Sequence, residues 1–191
     1  MGESANIAEV PTLAVCGSHQ LFAVAADNNF STSGTWKWNN AVYTVNKKLS
    51  GDTHIPSPYT VETLPGEVGI FEIEVTPQNS ADPFVEKLNL PPNLNPVYSE
   101  YHTMEVAYEP PGASLLFGPR KAQTGKNSKK TTHGVATRVQ GLKYGFRQPF
   151  YSVQFHPERK TFADDGTDDG GNGQRFVIAY LKHALEWWEK Q

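Results

Sequence analysis

Two short segments carry residues whose types and spacing could do chemistry. The first is PTLAVCGSHQLFAVAAD, residues 11–27, which holds the only cysteine, Cys16. A thiol on a tight strand-to-helix turn is thrust into a cleft, and the helix N-terminus stabilises both a thiolate and the negative oxygen formed in acyl transfer. Gly17 and Ser18 supply the small neighbours expected where strand and helix backbones approach closely. The competing reading of Cys16 is a small hydrophobe filling a core. The second segment is YSVQFHPE, residues 151–158. An apolar strand ending in His156, with Glu158 two residues on, can set an imidazole and a carboxylate at one sheet edge. The histidine then serves as general base and the glutamate orients its ring. Pro157 fixes the backbone at that exit. Taken alone, a histidine at a strand end is more often a surface or hydrogen-bonded structural residue.

Elements must exist to bring these segments together. Thr12–Val15 reads as a buried strand and His19–Ala26 as the helix after it. Residues 28–60 read as loops around a short hairpin or irregular strand, with Trp36, Trp38, Tyr43 and Val45 in partial alternation. Val68–Thr76 alternates apolar with acidic residues, the pattern of a strand with one wet face. Asp82 can cap a short helix through Leu88, which the proline-rich LPPNLNP then ends. Val97–Val106, Ser114–Phe117, Val135–Val139 and Tyr151–Phe155 read as strands, and Lys121–His133 as a basic, solvated loop. A last helix, Gln174–Lys190, presents Phe176, Ile178, Tyr180, Leu181, Ala184, Leu185 and Trp188 as an apolar face, with Trp187 and Trp188 packing on the sheet. Strand, helix, several strands and a terminal helix predict a layered α/β domain.

Taken together, the segments resemble the class I glutamine amidotransferases of the Cys-His-Glu type. That family's elbow reads Gly-Ile-Cys-x-Gly-His-Gln, against AVCGSHQ at residues 14–20; its second signature reads Gly-Val-Gln-Phe-His-Pro-Glu, against SVQFHPE at residues 152–158. A third stretch, SEYHTMEV at residues 99–106 followed by a Pro-Pro-Gly turn, is similar to the family's Ser-His-x-Asp-x-Val. The resemblance covers nearly the whole chain and implies one domain over residues 1–191. The fold it implies is a three-layer, flavodoxin-like sandwich with a mostly parallel central sheet.

It also implies roles. Cys16 would attack the side-chain amide of glutamine, His156 would move the proton, and Glu158 would hold the imidazole. The Gly17 amide would be an oxyanion donor, Gln20 would help hold the amino-acid end of the substrate, and the backbone around Tyr101, His102 and Thr103 would line the pocket. No cofactor or metal is implied. The partner implied is a synthase or ligase subunit that receives ammonia. Ser18 stands where the family has glycine, which predicts a shifted turn. Fifteen residues precede Cys16, so the resemblance implies a domain lacking its N-terminal strands, or one whose sheet another chain completes. It also implies that the glycine-rich loop giving a second oxyanion donor is missing, a loss of about 10²–10³ in rate. Two alternatives stay open: a γ-glutamyl hydrolase-like peptidase, and a non-catalytic binding or regulatory descendant.

Composition excludes several classes. A net charge of −3 gives no footprint for nucleic acid, and no run approaches the roughly 20 apolar residues of a membrane span. One cysteine forms neither an internal disulfide nor a cysteine metal cluster, and the N-terminus lacks a signal-peptide pattern, which together predict a cytoplasmic setting. ADDGTDDGGNG, residues 163–173, is dense in oxygen ligands, but Phe176 stands where a calcium loop from Asp165 needs its glutamate. The reading preferred there is a mobile acidic loop. The remaining histidines lack metal-ligand spacing, and no phosphate loop of the Walker type is present.

Overall fold

The structure, a computed structural model, describes residues 10–27, 42–44, 67–76, 80–91, 95–102, 104–106, 109–122, 139–159 and 170–191. In chain order they form β1 (Thr12–Val15), α1 (Gly17–Asp27), β2 (Val42–Thr44), β3 (Glu67–Val75), α2 (Pro83–Leu88), β4 (Val97–His102), β5 (Met104–Val106), β6 (Ala113–Ala122), β7 (Gly141–Tyr144), β8 (Phe150–Val153) and α3 (Asn172–Trp188). Six strands make one mixed sheet in the order β1-β8-β7-β6-β3-β4, and β2 pairs with β5 in a separate ribbon.

The sheet is not mostly parallel. Only β1 and β8 run parallel; β8–β7, β7–β6, β6–β3 and β3–β4 are antiparallel. One reason is visible at β7 and β8, which are joined by residues 145–149, too short for the crossover a parallel neighbour requires. The predicted strand Val97–Val106 is two strands in two sheets, β4 pairing with β3 and β5 with β2. The basic residues 123–133, most of Val135–Val139, most of residues 28–60 and residues 163–169 of the acidic segment lie outside the described residues.

Alternation along the strands sorts the core into two clusters. On one face, Ala23, Val24 and Ala26 of α1 pack with Leu142 and Tyr144 of β7, Phe150 of β8 and Val106 of β5. On the other, Phe84 and Leu88 of α2 and Phe176 and Tyr180 of α3 pack with Ile73, Phe117, Tyr151 and Val153. Within β8 itself, Phe150 goes to the first cluster while Tyr151 and Val153 go to the second, as a period of two demands. Where β6 meets β7 the chains are close enough that a Cβ on Gly141 would lie 2.6 Å from Cδ2 of Phe117.

Asp82 does cap α2, accepting from the Phe84 amide at 2.9 Å with Pro83 in the first turn. Its carboxylate also takes Lys143 Nζ at 2.5 Å and the Tyr151 hydroxyl at 3.1 Å, so the cap ties α2 to β7 and β8. In α3 the predicted apolar face divides. Phe176 and Tyr180 are buried and Ala184 packs against them, but Ile178, Leu181, Leu185 and Trp188 are 43%, 58%, 57% and 61% exposed. The apolar positions span more of the helix circumference than the sheet covers. Trp187 is half-buried and donates Nε1 to the Arg147 carbonyl at 3.2 Å; Trp188 does not pack on the sheet.

The sheet also bends back on itself. Ser99 of β4 bridges His156, beyond β8, and the His156 amide donates to the Ser99 carbonyl at 2.7 Å. The last strand of the sheet order, β4, therefore meets the exit of β8, which lies next to the first. Among the described residues, no helix is long and apolar enough to cross a membrane.

Candidate active site

Strand β1 ends at Val15, opposite Val153 of β8, and the Cys16 amide continues that ladder by donating to the Val153 carbonyl at 2.8 Å. Helix α1 starts on the next residue, with the Gln20 amide donating to the Cys16 carbonyl at 3.2 Å. To turn from strand to helix in one residue, Cys16 adopts φ +52°. That left-handed conformation is uncommon for a residue with a Cβ and carries about 1–3 kcal/mol of strain. It is the geometry of a nucleophile elbow, holding a half-buried side chain at a helix N-terminus. Gly17 and Ser18 are not enclosed, and a Cβ on Gly17 would meet nothing within 4 Å. The close backbone approach expected at these two residues is not found, and Ser18 does not crowd the turn.

Gln154 leaves β8 beside the elbow, with Nε2 3.9 Å from Cys16 Sγ. Two residues on, His156 is mostly buried, and its Nδ1 lies 2.6 Å from Oε1 of Glu158. A carboxylate can only accept, so Nδ1 carries the proton and Nε2 is the nitrogen left for chemistry. Nε2 is buried and makes no hydrogen bond of ordinary geometry. The thiol and the ring nevertheless lie close enough to govern one another. Burial pushes the Cys16 thiol up; hydrogen bonding and charge from His156, the charge of His102 and the Gly17 amide outweigh it and hold the thiol below its ordinary value. The thiol in turn raises His156, burial opposes this, and Glu158 adds to the rise. The pair is thus biased toward thiolate and imidazolium.

Beneath the elbow runs a polar network that the sequence does not announce. Gln20 donates Nε2 to Gln154 Oε1 at 3.1 Å. His19, wholly buried, places Nδ1 2.7 Å from Ser152 Oγ, which donates to the Tyr144 hydroxyl at 3.2 Å. Burial, with the charge of His102 acting in the same direction, drives His19 down to about 3, so this ring is neutral. The only sequence signal was the alternation of Ser152 and Gln154 with apolar neighbours in β8.

His102 ends β4 with Nε2 2.9 Å from Oε2 of Glu100, both side chains enclosed. The backbone of Tyr101 belongs to β4; its side chain and all of Thr103 lie outside the described residues. The structure therefore brings together Cys16, Gly17, Gln20, His102, His156 and Glu158. Among the described residues, no cluster of three His, Cys, Asp or Glu side chains could hold a metal ion.

No family model matches the chain. Over 59 residues it is 44% identical to a glutamine-hydrolyzing GMP synthase subunit of Ignicoccus hospitalis, a match covering 31% of this chain and 23% of that protein. Over that stretch the chain is similar to a glutamine amidotransferase subunit. Solved structures share its fold. The whole chain superposes on a Thermoplasma acidophilum protein described as a GMP synthase subunit, with TM-score 0.56 and 17% identity. It also superposes, over 93% of its length, on the Trypanosoma brucei CTPS glutaminase domain with bound acivicin, with TM-score 0.50 and 16% identity. It spans 65% of the first structure and 62% of the second.

Proposed function

We propose that this chain is a glutaminase-type amidotransferase domain that hydrolyses the side-chain amide of glutamine to glutamate and ammonia. The observation that carries the reading is Cys16, strained at φ +52° on a helix N-terminus beside the buried face of His156. The Cys16 thiolate attacks the amide carbon, and the oxygen takes up the negative charge facing the Gly17 amide. As the tetrahedral species collapses, the C–N bond breaks, and His156 gives its proton to the departing nitrogen, which leaves as ammonia. The product is a γ-glutamyl thioester on Cys16. His156, now neutral, takes a proton from water, which attacks the thioester; the C–S bond breaks, glutamate leaves, and the thiolate–imidazolium pair returns. Glu158 keeps the ring in the tautomer this requires.

Gln20, tied to Gln154 beside the thiol, helps hold the amino-acid end of the substrate, and the backbone at residues 101–103 lines the same pocket. Ammonia passes to a synthase or ligase partner. A working thiolate fits a reducing compartment such as the cytoplasm.

Incubation with a glutamine-analogue alkylator, followed by intact mass, tests the reading. A single adduct at Cys16, suppressed by glutamine and accompanied by glutamate release from glutamine, is expected. Release from γ-glutamyl peptides and not from glutamine would move the substrate to that class; no adduct would remove the catalytic role.

A further inference from the structure

The Glu100–His102 pair takes no part in the steps above, yet its placement is costly. Its side chains are 0% and 1% exposed, with Nε2 and Oε2 2.9 Å apart. Enclosing a carboxylate is strongly unfavourable without a partner, and an apolar pair of similar volume commonly stabilises a fold as well or better. Stability alone therefore does not account for the pair. Its position does suggest a use. Glu100 follows Ser99, whose carbonyl takes the His156 amide at 2.7 Å, so β4 is fastened to the segment that carries the general base.

We propose that Glu100 and His102 form a second charge clamp on Cys16, in which the buried carboxylate holds the imidazole on β4 so that its positive charge bears on the sulfur. His102 is here a positioning residue acting through Cys16. The charge of His102 is felt both at Cys16, where it favours the thiolate, and at His19, where it disfavours protonation. Among the described residues, the titratable groups coupled to this arrangement are His156 with Glu158 from the β8 exit, His102 with Glu100 from β4, and neutral His19 from α1. The two clamps differ in duty. His156 gives up and regains its proton during turnover, whereas His102 is held by the enclosed Glu100 carboxylate and exchanges no proton with the substrate.

The inference rests on reading Cys16 as the nucleophile, but its test does not require glutamine turnover. Cys16 is the only cysteine, so iodoacetamide alkylation of the full chain, followed by mass across pH, titrates this thiol directly. In His102→Gln the midpoint is expected to rise by about half a pH unit or more, slowing alkylation at neutral pH about threefold. The double variant Glu100→Gln/His102→Gln leaves no unpaired buried charge, so it decides the matter if the single variant fails to fold. It should show a smaller rise in the same direction, because both charges leave together. An unchanged or lowered midpoint in the folded variants overturns the clamp. Wild-type protein that alkylates normally but releases no ammonia from glutamine overturns the functional reading instead and leaves this comparison intact.

Discussion

The amide of Cys16 and the carbonyl of Val153 meet at 2.8 Å, which makes the proposed nucleophile a rung of the only parallel pairing among the described strands. Because the chain that leaves Val153 reaches His156 three residues later, one ladder register brings together residues 140 positions apart. The elbow's strain is the local consequence. Cys16→Gly should relieve the left-handed conformation and leave the protein more stable than Cys16→Ala by about 1 kcal/mol. Paired thermal or urea denaturation measures this, and equal stabilities would mean that the turn is unstrained.

The thiol and imidazole pull one another in opposite directions, and the signs set a pH window. Thiolate forms from below the ordinary thiol value, while His156 stays protonated above the ordinary imidazole value. Removing His156 leaves burial as the leading influence on Cys16. In His156→Ala the alkylation midpoint should therefore climb by about one pH unit or more, and glutamine hydrolysis should fall at least about 10³-fold.

Glu158 acts on that ring from a side chain that is 53% exposed. Water screens such a contact, so Glu158→Gln should lower turnover only about tenfold. Steady-state kinetics on both variants would rank them, and a Glu158 effect equal to that of His156 would contradict the assigned roles.

His19 makes an acid-stability prediction. Its folded value is depressed to about 3, so between the ordinary histidine range near 6.5 and that value the unfolded chain binds the extra proton. Stability from the neutral ring is complete above about pH 6.5 and is lost as pH falls, by at most about 1.4 kcal/mol per pH unit. Chemical denaturation between pH 4 and 7 (roughly the span of this effect) should show a flatter profile for His19→Gln than for wild type.

Asp82 caps α2 and binds Lys143 and Tyr151 at once. Asp82→Ala should destabilise by about 2–4 kcal/mol, combining a lost cap with buried donors left unpaired. Asp82→Asn retains cap and hydroxyl contacts and should recover much of the loss. Urea unfolding of the two variants separates these contributions.

Much of the architecture was legible because it is local. β1 and α1 are set by an apolar run, a turn and a helical pattern within one short segment. The Asp82 cap followed from an aspartate before proline and an apolar pair, and His156-Pro157-Glu158 from a strand ending in a base and its carboxylate. β7 escaped notice because GLKY is four residues long, with a glycine and a lysine among them, and offers no period. The break between β4 and β5 escaped notice because SEYHTMEV reads as continuous strand until two partners divide it. Strand direction was inferred from resemblance and not from residues, and four of the five pairings in the main sheet run the other way.

By itself the sequence determined which groups are available for chemistry and on which elements they ride: one thiol before a helix, and one imidazole with a nearby carboxylate after a strand. Such information lies in spacing along a few residues. Only the tertiary structure decided that the two segments share a ladder, that β4 returns to carry Glu100 and His102 to the same place, and that His19 finds Ser152 across 133 positions. Burial and charge depend on what surrounds a group in space, so the depressed thiol, the raised His156 and the neutral His19 arise only when distant strands close around them.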